Sequence, residues 1–162
     1  MAETPAGPAT AAENGAEAEG AQGPRIGIEN QYIKDLSFEN PMGPASASAI
    51  QSNPQVSVEV STSARAISEG RYEVCLMIHG KAALEAGPVF IVELTYGAVI
   101  ALANVPNDAI QPILLIEGAR LIFPFARNIV ADVTRDGGFP PLFLQPIDFM
   151  QLYQDQHATG EG

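Results

Sequence analysis

The sequence predicts an α+β fold, a four-stranded antiparallel sheet first and helices after it. Three observations carry this reading. Four strand candidates fall between Gln31 and Ile100, the second with the clean two-residue period of a half-buried strand. The links between the second, third and fourth are short, which favours antiparallel neighbours because parallel strands need long crossovers. Beyond Asn104 the alternation gives way to a long apolar run bounded by helix start and stop residues.

The first strand is expected at Gln31 to Asn40. Strict alternation puts Tyr32, Leu36, Phe38 and the stem of Lys34 on one face, and Ile33, Asp35, Ser37 and Glu39 on the other. Pro41 and Pro44 end it, and a Ser/Ala/Pro-rich crossing loop runs to Pro54. The second strand sets Val56, Val58 and Val60 against Ser57, Glu59 and Ser61, and the third runs from Arg71 to Leu84 with Tyr72, Val74, Leu76 and Ile78 inward. Gly87 and Pro88 turn the chain into the fourth, Val89 to Ile100. The outer parities collect Asp35, Glu39, Glu59, Glu73 and Glu93, so one sheet face is expected to be acidic.

Asn104-Val105-Pro106-Asn107-Asp108 is a helix-start cluster, and from Ile110 to Val133 apolar residues occupy nearly every side. Pro124 is expected to kink this helix or divide it in two. A helix greasy on more than one face needs a second surface besides its own sheet, and another copy of the chain supplies one. Gly137 and Gly138 end the helix. Phe139 to Pro146 is an extended, proline-stiffened apolar segment, and Asp148 is the expected N-cap of a short last helix. Residues 1–24 hold four glutamates and no Lys or Arg, and are expected to be a disordered acidic tail whose simplest use is solubility. Residues 25–157 form the domain and 158–162 a frayed end.

Eight basic against 19 acidic residues give a formal net charge of −11, which repels nucleic acid and anionic lipid and attracts basic protein segments. One cysteine, Cys75, permits no intramolecular disulfide. There is no basic-then-apolar signal segment at the N-terminus, and no apolar run approaching the roughly 20 residues of a membrane span is expected. The expected location is the cytoplasm, without membrane insertion.

Catalytic chemistry is poorly represented. Cys75 and His79 stand four residues apart on one strand, about 13 Å between backbones, too far for a nucleophile and its base. Gly80-Lys81 lacks the glycine and hydroxyl of a phosphate-binding loop. His79 and His157 are far apart in sequence, so no metal site of ordinary spacing exists and no cofactor is expected. Asp35 and Glu39 are expected on an open strand face and not in a pocket, a poor setting for an acid/base pair. The chain is expected to be a binding protein and not an enzyme. Its surplus apolar residues fit equally a core plus subunit interface or an exposed groove for unfolded chains.

Three blocks resemble the SecB family of export chaperones: YIKDLSFENP at Tyr32 to Pro41, LIFPFAR at Leu121 to Arg127, and GGFPPLFLQPIDF at Gly137 to Phe149. The resemblance spans about Ile26 to His157 and leaves out the acidic tail. It implies a four-stranded antiparallel sheet with two helices packed on one face, assembled as a dimer of dimers. It implies an ATP-independent chaperone that keeps presecretory proteins unfolded and delivers them to the translocation ATPase SecA. By motif position the SecA contact falls on Asp35, Glu39, Ile91 and Glu93, opposite a basic, zinc-holding tail that belongs to SecA. Client contact falls on Phe38, Met42, Phe139, Leu142, Phe143, Phe149 and Leu152. The crossing loop departs from the family, since Ala45 to Ala49 is Ala/Ser where aromatics are common. Two other readings stay open: an oligomeric carrier of a hydrophobic ligand, and a SecB-like holdase serving a non-export pathway.

Overall fold

The computed structural model describes residues 23–158; most of the expected acidic tail and frayed C-terminus lies outside the described residues. Four strands form one antiparallel sheet: β1 (Arg25–Glu39), β2 (Gln55–Ser68), β3 (Arg71–Leu84) and β4 (Gly87–Ala103), in the order β1-β4-β3-β2. The chain must therefore cross from one edge to the other between β1 and β2. The crossing loop is partly helical, with a 3-10 turn at Gly43–Ala45 and helix α1 (Ser46–Gln51), whose Ala49 is buried.

One face of the sheet carries the helices. Val74, Leu76 and Ile78 of β3, and Leu94, Tyr96, Ala98 and Ile100 of β4, pack there against Leu114, Ile122, Phe123, Ala126, Val130 and Phe149. The alternation in β3 fixes this face, and the observed bounds of β3 match those expected. β1 and β4 extend further than expected, because their outer ends pair with each other from Arg25↔Ala103 onward.

The long helix does not break at Pro124. It runs from α2 (Asn107–Ile113) through a π-helical stretch at Leu114–Gly118 into α3 (Ala119–Asp136). Pro124 lies on the exposed side of α3. The irregular pitch comes upstream, at Gly118, where a side chain would stand 2.8 Å from Ile100 Cδ1. Glycine at this position lets the helix backbone approach the Ile100 and Val74 side chains closely. This continuity overturns the expectation of no long apolar stretch. Asn107–Asp136 is 30 residues, long and apolar enough by composition to cross a membrane. Such helices also occur as the cores of folded domains, and 44% of its most apolar window is buried here.

Gly138, at φ +96°, closes α3 with the amide of Phe139 donating to Thr134 O and that of Gly138 to Arg135 O. Residues 139–148 then cross the helix-bearing face in extended form to α4 (Phe149–Ala158). Asp148 caps α4 as expected, its carboxylate accepting from the Gln151 amide at 3.1 Å.

Candidate functional site

The two faces of the sheet offer different chemistry. On the open face, cross-strand pairing aligns Glu59 with His79 and Glu93, and Ser37 with Glu93. Ile91 stands between Glu39 and Lys81 in the same way. Asp35 pairs with Thr95. Asp35, Glu39, Glu59 and Glu93 are all exposed, and all five carboxylates expected on one face share it. Asp35, Glu59, Met77, His79, Glu93 and Thr95 border a shallow depression of about 360 Å³. His79 Nε2 lies 3.3 Å from Glu93 Oε1. The surface is a wide, open, negative field, suited to docking a basic segment.

Glu73 is different. It is buried, 6% exposed, and its charge is neutralised inside the face. Lys34 Nζ donates to it at 2.8 Å, Arg65 Nε at 2.9 Å, and the Tyr32 hydroxyl also donates to it. These bonds, that from Lys34 foremost, lower its carboxyl pKa from 4.5 to about 2. Burial first, and the Glu73 carboxylate second, push Tyr32 up to about 12. Cys75, next to Glu73's side of β3, is a buried thiol whose pKa burial raises, far from an activated nucleophile.

This cluster corrects the strict alternation expected for the first strand. The β1–β4 register slips between Ile33 and Asp35, leaving Lys34 as an extra residue in a β-bulge. Tyr32, paired with Gly97, therefore shares the open face with Asp35, while Ile33, paired with Tyr96, faces the helix side. A bulge leaves no mark in an apolar/polar pattern, so the sequence signalled Asp35's face but not Tyr32's.

On the opposite face, β2 is an edge strand whose Val56, Val58 and Val60 line a groove of about 380 Å³ with Leu142, Phe143, Leu144, Pro146 and Ile147. The far wall is held by α3. Arg127 Nε donates to Leu144 O at 2.9 Å and its guanidinium lies 5.8 Å from the Phe143 ring centroid. Thr134 Oγ accepts from the Leu142 amide at 2.9 Å. Phe143 is 60% exposed. With Val56 and Val58, 47% and 40% exposed, it makes an apolar surface suited to protein contact. At Thr62 the open edge of β2 is closed by Gln156, whose amide bonds both the backbone N–H and C=O at 3.1 Å.

The seven expected client positions do not share one surface. Leu142 and Phe143 line the groove. Phe38, Phe90 and Phe139 form an aromatic cluster at the other end of the extended segment, with Met42 partly buried beside the core. Phe139 and Phe149 are 4% and 2% exposed and belong to the core, Phe149 edge-on to Phe123. Leu152 is partly buried on α4. The valines of β2 were read only as a core parity. Their exposure follows from an edge position that no local pattern reveals.

The sequence profile of the preprotein translocase subunit SecB matches residues 19–160. A protein-export protein SecB from Azorhizobium caulinodans is 49% identical over 133 residues, 82% of this chain and 83% of that one. Another from a Bradyrhizobium species is 47% identical over 152 residues, 92% of this chain and 94% of that one. Among solved structures, the SecB-like chaperone of Mycobacterium tuberculosis in complex with an antitoxin peptide superposes with a TM-score of 0.62 at 16% identity. It covers 76% of this chain and 91% of that one, and the likeness shows the shared fold. With its sheet, its helices and all three sequence blocks accounted for, the chain belongs to the SecB family.

Proposed function

We propose that this protein is an ATP-independent export chaperone of the cytoplasm, which holds presecretory proteins unfolded and passes them to SecA. The observation that carries the reading is the separation of the two surfaces onto opposite faces of one sheet. The acidic open face presents Asp35, Glu39, Ile91 and Glu93, while the apolar groove opens on the helix side beside β2 and Phe143. A client seated in the groove leaves the acidic face free, so holding and delivery need not compete. No step calls for catalysis, a metal or a cofactor. Binding energy alone, apolar on one face and electrostatic on the other, performs the task.

Clients contact Leu142 and Phe143 directly, with Phe38, Met42 and Leu152 at the margins. Phe139 and Phe149 act from beneath by shaping the wall. SecA docks through charge complementarity between a basic segment and Asp35, Glu39 and Glu93, with Ile91 supplying an apolar contact. The working form is a homotetramer, a dimer of dimers, supported by the exposed apolar stripe of α3. Leu121 and Phe125, one helical turn apart, are 42% and 50% exposed.

Light-scattering mass after size exclusion, with and without a denatured presecretory protein, tests the holdase. Co-elution of a tetramer with the unfolded client, but not with its folded form, is expected. A tetramer indifferent to unfolded chains overturns the reading in favour of a ligand carrier. Glu93→Lys tests the docking face: SecA binding should be lost while client binding and assembly persist.

A further inference from the structure

We infer that the bulge at Lys34, clamped by Glu73, is the positioning device that turns Asp35 onto the docking face. This rests on the reading of the open face as the SecA contact. On β1, the residues before the bulge alternate one way and those after it the other: Tyr32 and Asp35 look out on the same side, three residues apart. Without the extra residue, a strand keeping Tyr32 over Gly97 would turn Asp35 toward the helix side, where it pairs with nothing acidic and faces apolar Leu94 and Tyr96.

The clamp explains why the bulge holds its place. Lys34 reaches across β4 to Glu73 on β3 at 2.8 Å, and the Tyr32 hydroxyl donates to the same carboxylate. The Tyr32 ring lies over Gly97, where a Cβ would come within 2.7 Å of Tyr32 Cε2. Arg65 approaches Glu73 from β2 at 2.9 Å. Three strands, β1, β2 and β3, thus meet at one buried carboxylate. A slip of β1 by one residue would withdraw Lys34 from the carboxylate and carry Tyr32 off its glycine, so the register is specified where the adjacent Asp35 needs it.

The sign of one measurement separates this from simple charge arithmetic. Lys34→Met removes a positive charge from an acidic face, which by Coulomb's law alone should tighten the docking of a basic partner. Positioning demands the opposite. SecA affinity of the full-length assembled protein, by calorimetry, should fall in Lys34→Met to the level of Asp35→Ala, and return in Lys34→Arg. Tetramer mass should stay unchanged, and the cross-strand nuclear Overhauser contact between Asp35 and Thr95 should disappear. Tighter or unchanged SecA binding, or an Asp35–Thr95 contact that persists, overturns the inference. Should Lys34→Met fail to assemble, Glu73→Asp shortens the clamp by one methylene and keeps its charge. Weakened docking is again expected, and unchanged docking again overturns the inference. If Glu93→Lys leaves SecA affinity unchanged, the docking reading fails, and the Asp35–Thr95 contact still decides the role of the bulge.

Discussion

Glu73 is the residue on which stability and surface chemistry meet. Its pKa in the folded chain, about 2, lies below the ordinary 4.5, so its contribution is present above pH 4.5 and is lost as pH falls from there through 2. Acid unfolding of the wild type should therefore steepen between those values. Glu73→Gln should cost about 2 kcal/mol at neutral pH and flatten that acid limb, measured by urea midpoints from pH 7 to pH 3. An equally steep acid limb in the variant would show that other carboxylates govern acid stability. Glu73 was legible in the sequence as one acidic residue among five on an outer parity. Its burial was not, because it depends on Lys34, Arg65 and Tyr32 converging from two other strands. The same holds for Cys75 and His79. Their shared parity was plain from their spacing, but the pairing of His79 with Glu93 required the β3–β4 register.

At the scale of elements, the pattern showed most where burial is one-sided. β3, covered on its inner face, appeared with its observed bounds, and the helix stop at Gly138 and helix start at Asp148 were readable because capping chemistry is local. Pro124 does not divide the helix, because a proline on the solvent side of a well-packed helix removes one hydrogen bond without undoing the burial on its other side. The extended segment after α3 is the element that builds the groove, and two substitutions probe its approach and its middle. At Gly137 an added Cβ would fall 2.2 Å from the Phe38 ring. Gly137→Ala should displace that ring from Phe90 and Phe139, costing about 1–3 kcal/mol in chemical denaturation. In the middle of the segment, Phe143→Ala removes a mostly exposed ring. It should change stability by less than about 1 kcal/mol while weakening the binding of unfolded clients, read by fluorescence anisotropy. Client affinity unchanged by Phe143→Ala would remove the groove beside β2 from the client path.

For the whole molecule, the question is what covers α3. Its inner side is satisfied by β3 and β4 through Ile122, Phe123, Ala126 and Val130, yet Leu121, Pro124 and Phe125 remain on the outside. The all-round apolar pattern seen in the sequence thus divides into a half that completes the chain's own core and a half left exposed. A sequence cannot apportion the two, because the division depends on which way the helix rotates as it settles on the sheet. If the outer half joins copies, a charge placed there must be desolvated at every copy of the interface, and repulsion between like charges adds to the cost. Phe125→Glu should then reduce the light-scattering mass from tetramer to dimer or monomer while the far-ultraviolet circular dichroism and the Glu73-dependent acid limb stay intact. Because many weak contacts on one oligomer raise avidity, the smaller species should also release unfolded clients faster, although Phe143 and the groove are untouched. A Phe125→Glu protein that remains a tetramer would place the subunit contact elsewhere, with the β1 edge as the surface to test next. Its exposed Ile33 and Leu36 lie beside unpaired backbone, where a strand from a second copy could continue the sheet.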